Sequence, residues 1–127
     1  ESDYLPHNYT HNCVVYTGTH DNDTVMGWYD TLKGADKKLC DDYLRLKNAD
    51  GEPIPREQLP WEFVRAAMSS VADLAIIPMQ DYLGLGSEAR INIPSTLGIN
   101  WKWRMGNGDF TKELAGRIRS MTKLYGR

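Results

Sequence analysis

The polar run of residues 17–24 (TGTHDNDT) carries the side chains best suited to chemistry in this sequence. Within it, His20 and Asp21 stand next to each other, shortly after the apolar segment 12–17. A carboxylate beside an imidazole can hold two hydroxyls of a sugar, or it can stabilise a developing cation. A structural alternative stays open at this point, because a polar loop that ends in a helix N-cap uses the same residue types.

Two histidines and a cysteine near the start of the chain, His7, His11 and Cys13, resemble part of a metal-binding cluster. A closed zinc site needs four ligands, usually arranged as two pairs. The other candidates, His20 and Cys40, do not have the matching spacing. We therefore predict no metal site and assign these residues a structural or ligand-facing role.

The glycine-rich run of residues 84–89 (GLGSEA) matches the G-x-G-x-x-A pattern of dinucleotide-binding sites. Such a site requires a helix that begins at the glycines, so that its N-terminal amides face the pyrophosphate. Pro94 follows too soon for a full helix. A structural loop explains the run better, and we predict no cofactor.

The elements that must position these side chains follow from the hydrophobic spacing. Short, nearly continuous apolar runs predict strands over residues 12–17 and 74–77, each covered on both faces. Apolar residues at helical spacing predict helices over 25–33, 35–47 and 60–71, and a last helix that Asp109 could cap. Asn22, Asp23 or Thr24 could each cap the first helix, and Leu39 is expected on the apolar stripe of the second.

The order strand, helices, strand indicates an α/β chain with a parallel sheet. Polar residues follow both strands, at 19–21 after the first and at Gln80 and Asp81 after the second. Functional sites of α/β folds form at the carboxyl ends of the strands. The two polar runs are therefore expected to lie at the same edge of the sheet.

Composition limits the functions that are compatible with these 127 residues. Net charge is -2, which argues against nucleic-acid binding, and no apolar run reaches the roughly 18 residues that a membrane helix requires. Two cysteines are too few for a disulfide framework, so reduced thiols and a cytoplasmic protein are expected.

Four segments in the same order resemble the amylomaltases, the 4-α-glucanotransferases also called disproportionating enzymes. They are residues 5–9 (LPHNY), 17–24 (TGTHDNDT), 78–92 (PMQDYLGLGSEARIN) and 100–104 (NWKWR). The resemblance covers most of the chain and implies a (β/α)8 TIM barrel. It also implies a retaining transfer of α-1,4-glucan segments to the 4-hydroxyl of an acceptor glucan or glucose, with maltooligosaccharides as substrates.

The resemblance assigns roles to six residues. Asp21 takes the place of the third catalytic carboxylate, which clamps hydroxyls of the sugar at the cleavage point, and His20 binds a hydroxyl beside it. Gln80, Asp81, Arg90 and Asn92 are assigned to substrate binding or to support of the site; for Arg90 and Asn92 a loop-pinning network is an equal alternative. Trp101 and Trp103 could stack on sugar rings, but core packing is the favoured expectation.

The family's nucleophile and acid/base belong to motifs that are not among these residues. Residues 1–127 are therefore expected to form the C-terminal segment of the catalytic barrel, with its seventh and eighth strands, and to be inactive alone. The chain has Ser95 where the family usually has glycine and Ile91 where it has methionine, which puts only the local loop conformation in doubt.

A second hypothesis is a non-catalytic glucan-binding or assembly module. Three amphipathic helices and the aromatic content favour it. Two strands taken from a closed barrel leave open edges and apolar faces, which argues against it. An isolated chain is expected to repack, to self-associate or to be poorly soluble.

Overall fold

The computed structural model describes residues 2–127 and contains two strands and five α-helices in that range. The strands are β1 (Val14–Tyr16) and β2 (Leu74–Ile76). The helices are α1 (Val25–Thr31), α2 (Gly34–Tyr43), α3 (Leu59–Met68), α4 (Met79–Tyr82) and α5 (Lys112–Leu124). Single turns of 3-10 helix cover Pro6–Asn8, Arg56–Gln58 and Ser87–Ala89. None of the helices in the described range is long and apolar enough to cross a membrane.

The two strands pair in parallel, as the sequence predicts. Val14 lies opposite Leu74 and Tyr16 lies opposite Ile76. Helices α1, α2 and α3 form the connection between the strands, which is the crossover that a parallel pair requires. The segments that leave both strands therefore start from one edge of the sheet.

The two faces of this sheet differ in burial. Val15 is 5% exposed and packs with Ala67 of α3 and with Ala72. The four side chains on the other face are 41% to 51% exposed: Val14, Tyr16, Leu74 and Ile76. The prediction that both strands are covered on both faces is wrong for these residues, because the helices of this chain pack on one face only.

The larger core lies between α1, α2, α3 and the segments that join them. Its buried members are Val25, Met26, Tyr29, Cys40, Leu44, Leu46 and Leu59. Phe63 of α3 meets the rings of Trp28 and Tyr29 edge-on, and the Tyr29 hydroxyl donates to the buried carboxylate of Asp41 at 2.8 Å. This packing fixes α1, whose first turn borders the polar run of residues 17–24.

Helix α1 begins where the sequence predicts. Of the three possible caps, Thr24 is the one used: its hydroxyl accepts the backbone N–H of Gly27 at 3.0 Å. The backbone of Thr24 is extended, as is usual for an N-cap residue. The polar run therefore ends in a defined helix start, which fixes the direction in which the preceding residues leave.

Helix α2 ends earlier than predicted, at Tyr43 rather than near residue 47. Arg45 takes a left-handed conformation (φ 56°), and the N–H of Leu46 returns to the carbonyl of Asp41 at 2.8 Å. This is the Schellman arrangement, in which glycine is the usual left-handed residue. Leu46 then enters the core at 1% exposure, whereas Leu39, expected on the apolar stripe, is 59% exposed.

Helix α3 also ends earlier than predicted, at Met68 instead of near Val71, which is 46% exposed. The guanidinium of Arg127 donates to the carbonyls of Met68, Ser70 and Ala72, each at 2.8 Å. The bond to Met68 satisfies a carbonyl that the end of α3 leaves without a partner. The segment between α3 and β2 is thereby fixed from the far end of the chain.

The cap predicted for the last helix is wrong. Thr111 caps α5 by accepting the N–H of Leu114 at 3.1 Å, while the Asp109 carboxylate accepts the N–H of Gly106 at 2.7 Å in the preceding turn. Helix α5 has no buried residue. One of its contacts with α3 is made by Arg117, whose guanidinium carbon lies 3.9 Å from the centre of the Trp61 ring.

Candidate active site at the carboxyl edge of the strands

His20 and Asp21 occupy the tip of a tight turn between β1 and α1. The carboxamide oxygen of Asn22 accepts the backbone N–H and the hydroxyl of Thr19 at 2.8 and 2.9 Å, and the Asn22 N–H donates to the Thr19 carbonyl. The turn thus projects the two intervening side chains into solvent, where His20 is 54% and Asp21 is 50% exposed. The imidazole Nε2 lies 3.4 Å from the Asp21 carboxylate.

The loop that follows β2 holds this turn in place. The Asn92 carboxamide donates to the Asp21 carboxylate at 2.6 Å, and the Arg90 guanidinium donates to the Asp21 carbonyl at 2.7 Å. The Asn92 N–H donates to the His20 carbonyl at 3.1 Å. Arg90 also donates to the Asn92 carbonyl at 2.9 Å, so the two loop residues are fixed to each other.

The two predicted polar runs meet at one edge, since Gln80 and Asp81 border the same cleft as Thr19 and His20. A small cleft opens between the turn and the loop, with Pro78 and Ile91 on its apolar side. Asp21 keeps half of its side chain exposed, so its carboxylate can accept hydrogen bonds from a ligand in addition to the one from Asn92.

Gln80 and Asp81 lie beneath the site and not on its surface, at 4% and 1% exposure. The Asp81 carboxylate accepts the Thr17 hydroxyl at 2.5 Å and the N–H of Val25 at 2.9 Å. Burial raises the pKa of Asp81, and its two hydrogen bonds oppose that shift. Gln80 donates to the Ala89 carbonyl at 3.1 Å. Both side chains belong to α4. Through them, α4 is joined to both ends of the 17–24 segment and to the loop that carries Ala89, which we call the second loop.

A close contact between α1 and the second loop adds a further connection, which sequence reasoning missed. The Ser87 hydroxyl donates to the Asp23 carboxylate at 2.7 Å. A Cβ at Gly27 would lie 2.4 Å from the Ser87 hydroxyl and 2.6 Å from an Asp23 carboxylate oxygen. A glycine within an amphipathic helix was the signal in the sequence, since it costs helix stability unless close packing requires it.

Trp101 departs from the expectation of core packing. Its side chain is 57% exposed, and its ring centre lies 5.1 Å from that of His20, with the planes tilted by 37°. Trp103 is half-buried. Trp101 was expected in the core, but the structure places its side chain at the candidate site.

His7 and Cys13, which were considered as metal ligands together with His11, bond to groups outside this site. The His7 ring nitrogen lies 2.9 Å from the Tyr43 hydroxyl, and the Cys13 thiol donates to the Thr10 carbonyl. Across residues 2–127, no group of three or more His, Cys, Asp or Glu side chains is placed to hold a metal ion.

Comparison with known proteins identifies the family. The model of the 4-alpha-glucanotransferase family matches residues 1–110. The chain belongs to the 4-alpha-glucanotransferase family. It is 50% identical over 125 residues to the 4-alpha-glucanotransferase of Clostridium butyricum, which covers 98% of this chain and 24% of that protein. The corresponding Thermus thermophilus protein is 45% identical over 127 residues, covering 97% of this chain and 25% of the relative.

A solved structure of the same family has the same fold over this segment. It is the amylomaltase from Streptococcus agalactiae in complex with acarbose, which is 34% identical, with a TM-score of 0.88. The match covers 99% of this chain and 24% of that one. The chain thus spans about a quarter of the length of the 4-alpha-glucanotransferases it matches.

Proposed function

We propose that the full-length protein containing this chain is a 4-alpha-glucanotransferase, and that this chain supplies one carboxylate of its active site. One observation carries the proposal: the exposed His20–Asp21 pair lies at the carboxyl edge of two parallel strands, in a chain of this family. The reaction is a retaining transfer. A glycosidic bond breaks as a carboxylate nucleophile attacks, and the 4-hydroxyl of an acceptor glucan then displaces that carboxylate.

Asp21 has the geometry for a hydroxyl clamp. Its carboxylate is half exposed and fixed by the 2.6 Å bond from Asn92. Hydrogen bonds that strengthen as the sugar ring flattens toward an oxocarbenium ion lower the barrier to reaction, whereas equal binding of both states does not. His20, at 3.4 Å, holds a neighbouring hydroxyl, and the nucleophile and acid/base come from the rest of the protein.

Four further residues support the site by holding other groups in place: Arg90, Asn92, Gln80 and Asp81. Arg90 and Asn92 hold the backbone and the carboxylate of Asp21, which supports the loop-pinning role over direct substrate contact. Gln80 and Asp81 are buried and bonded to protein groups, so they support the site from below. Errors of about 1 Å in the position of a reacting group can cost roughly a hundredfold in rate, so such support is functionally significant.

We infer that β1 and β2 are neighbouring strands of a (β/α)8 barrel, with the remaining strands in the rest of the protein. The exposed apolar face that carries Val14, Tyr16, Leu74 and Ile76 supports this, since the interior of such a barrel is packed with branched and aromatic side chains. Their place as the seventh and eighth strands stays a prediction from the resemblance. An isolated chain would expose that face, and we expect it to self-associate.

Incubation with maltotriose tests the proposal. The full-length protein is expected to produce glucose together with longer maltooligosaccharides, which thin-layer or anion-exchange chromatography resolves. The 127-residue chain alone is expected to produce neither, because it lacks the nucleophile and the acid/base. Full-length protein that leaves maltotriose unchanged, or turnover by the isolated chain above a blank, would contradict it.

A titration with maltoheptaose distinguishes the proposed catalytic role from that of a non-catalytic glucan-binding module. Saturable binding by the isolated chain favours a glucan-binding module. Absence of binding by that chain, together with transfer by the full-length protein, favours one part of a site that is complete only in the whole barrel.

A further inference from the structure

Trp101 has a backbone conformation that a bulky residue rarely adopts. Its φ is 61°, in the left-handed region, where a side chain with a Cβ meets steric strain. Such residues persist where the surroundings fix them, and they concentrate at functional sites. The strain therefore raises the question of what the position of this indole provides.

Several hydrogen bonds hold Trp101 in that conformation. Its N–H donates to the Ile91 carbonyl at 2.7 Å, which closes the segment 92–100 into a loop. Inside the loop, the carboxamide of Asn100 accepts the N–H of Ile93 at 2.9 Å and donates to the Thr96 carbonyl at 3.1 Å. The same loop begins at Asn92, the residue that bonds the Asp21 carboxylate, so the indole and the carboxylate are positioned by one unit.

The result is a row of three exposed side chains, of which His20 also lines the cleft. The indole of Trp101 lies against the imidazole of His20, and that imidazole lies beside the carboxylate of Asp21. A glucosyl unit has the matching chemistry, because its ring carries C–H groups on its faces and hydroxyls around its rim. Binding sites of this kind combine aromatic surface with a few fixed polar groups.

We propose that Trp101 is a sugar-binding residue whose exposed indole packs against the C–H face of a glucosyl unit next to the one held by Asp21. The proposal rests on the proposed function for its substrate class. Packing on Trp101 contributes to binding of the glucan, and His20 links the stacked unit to the clamped one. Its alternative is a purely positioning role, in which the indole only holds the imidazole.

The test uses the full-length protein with Trp101→Ala and Trp101→Phe. Trp28→Phe is the matched control, since Trp28 is 45% exposed and contacts Phe63 of α3, away from the cleft. In wild-type protein and in Trp28→Phe, maltoheptaose is expected to change tryptophan fluorescence, and in Trp101→Phe that change is expected to be lost. For Trp101→Ala, KM for maltoheptaose is expected to rise about 3- to 10-fold, with Trp101→Phe close to wild type.

Three outcomes overturn the stacking role. One is an unchanged KM in Trp101→Ala. Another is a fall in kcat at unchanged KM, which indicates that Trp101 only positions His20. The third is a fluorescence response to maltoheptaose that persists in Trp101→Phe. If Trp101→Ala does not fold, Trp101→Phe still decides through the fluorescence.

Calorimetric binding in the Asp21→Asn background separates this inference from the proposed function. If Trp101 lowers the Kd for maltoheptaose there while the wild-type protein performs no transfer, the proposed function fails and the stacking role stands. If the wild-type protein transfers glucan and the Kd is the same with tryptophan and alanine at position 101, the stacking role fails and the proposed function stands.

Discussion

The contact at Gly27 gives a sharp prediction about how α1 supports the site. Gly27→Ala would place a methyl group 2.4 Å from the Ser87 hydroxyl and 2.6 Å from the Asp23 carboxylate, well inside van der Waals contact. Because the backbone of α1 is fixed by the core, the two polar side chains must move apart. Their 2.7 Å hydrogen bond, which joins the 17–24 segment to the second loop, is then lost.

The magnitude follows from two opposing effects. Overpacking of a filled site costs about 1–3 kcal/mol, whereas alanine in place of glycine within a helix contributes about 0.5–1 kcal/mol in its favour. The displaced side chains are partly exposed and can rotate, so the overpacking cost, with the lost hydrogen bond included, lies near the middle of that range, at about 2 kcal/mol. We expect a net local loss of about 1 kcal/mol, or about a fivefold rise in the population of opened states.

Hydrogen exchange in the full-length protein measures this directly. Amides in the first turn of α1, where Val25 donates to Asp81 and Trp28 to Thr24, are expected to exchange about fivefold faster in Gly27→Ala. Gly116→Ala is the matched control, because Gly116 lies within α5 and a Cβ there meets no atom within 4 Å. That variant should slow exchange in α5 by a similar factor.

The sign of the effect decides whether this reasoning is correct. If Gly27→Ala protects α1 as Gly116→Ala protects α5, the close contact with Ser87 and Asp23 does not constrain the helix. Transferase activity should follow the exchange result, since the same segment carries His20 and Asp21. If the Gly27→Ala protein exchanges fast but keeps full activity, the stability of the first turn of α1 does not affect the positions of His20 and Asp21.

Two further substitutions test the loop and the chain end. Ser95 is left-handed (φ 65°) and exposed, so Ser95→Gly should stabilise by about 1 kcal/mol, seen as a higher Tm, with Thr96→Gly as a destabilising control. Arg127→Ala removes three bonds to carbonyls and should destabilise by about 1–2 kcal/mol, whereas Lys123→Ala on the same exposed end should change little. An unchanged Tm in Ser95→Gly would contradict the backbone strain assigned to Ser95. An unchanged Tm in Arg127→Ala would contradict the stabilising role assigned to its three bonds.

The sequence supported a reliable prediction of the elements that carry the site. An apolar strand followed by polar residues and three possible caps predicted both the carboxyl edge and the start of α1, and the structure has both. These features succeed because local hydrophobic pattern and capping chemistry determine them. The parallel order of the two strands predicted that residues 19–21 approach Gln80 and Asp81, whereas the contacts of Asp21 with Arg90 and Asn92 agree with roles that only the family resemblance implied.

Other features depend on conformations or distant contacts that the pattern does not encode. The end of α2 depends on the left-handed conformation of Arg45, where no glycine signals it, and the end of α3 depends on Arg127, 59 residues after Met68. Trp101 was expected in the core because large aromatics are usually buried, but its loop turns it outward. Ser95 has a left-handed conformation, which glycine adopts with the least strain, and this agrees with the glycine that the resemblance implies at that position.

Disproportionation of maltotriose by full-length Asp21→Asn tests the central claim most directly. Asparagine keeps an oxygen that can accept the bond from Asn92, so the turn should stay in place while the negative charge is removed. Asp42→Asn, an exposed aspartate of α2 paired with Lys38, is the matched control.

We expect kcat to fall by at least about a hundredfold in Asp21→Asn, as happens when a group that stabilises transition-state charge is removed, with the fold and glucan binding retained. Asp42→Asn should remain at the wild-type rate. Near-normal turnover in Asp21→Asn would contradict the account, because it would remove this carboxylate from the catalytic site.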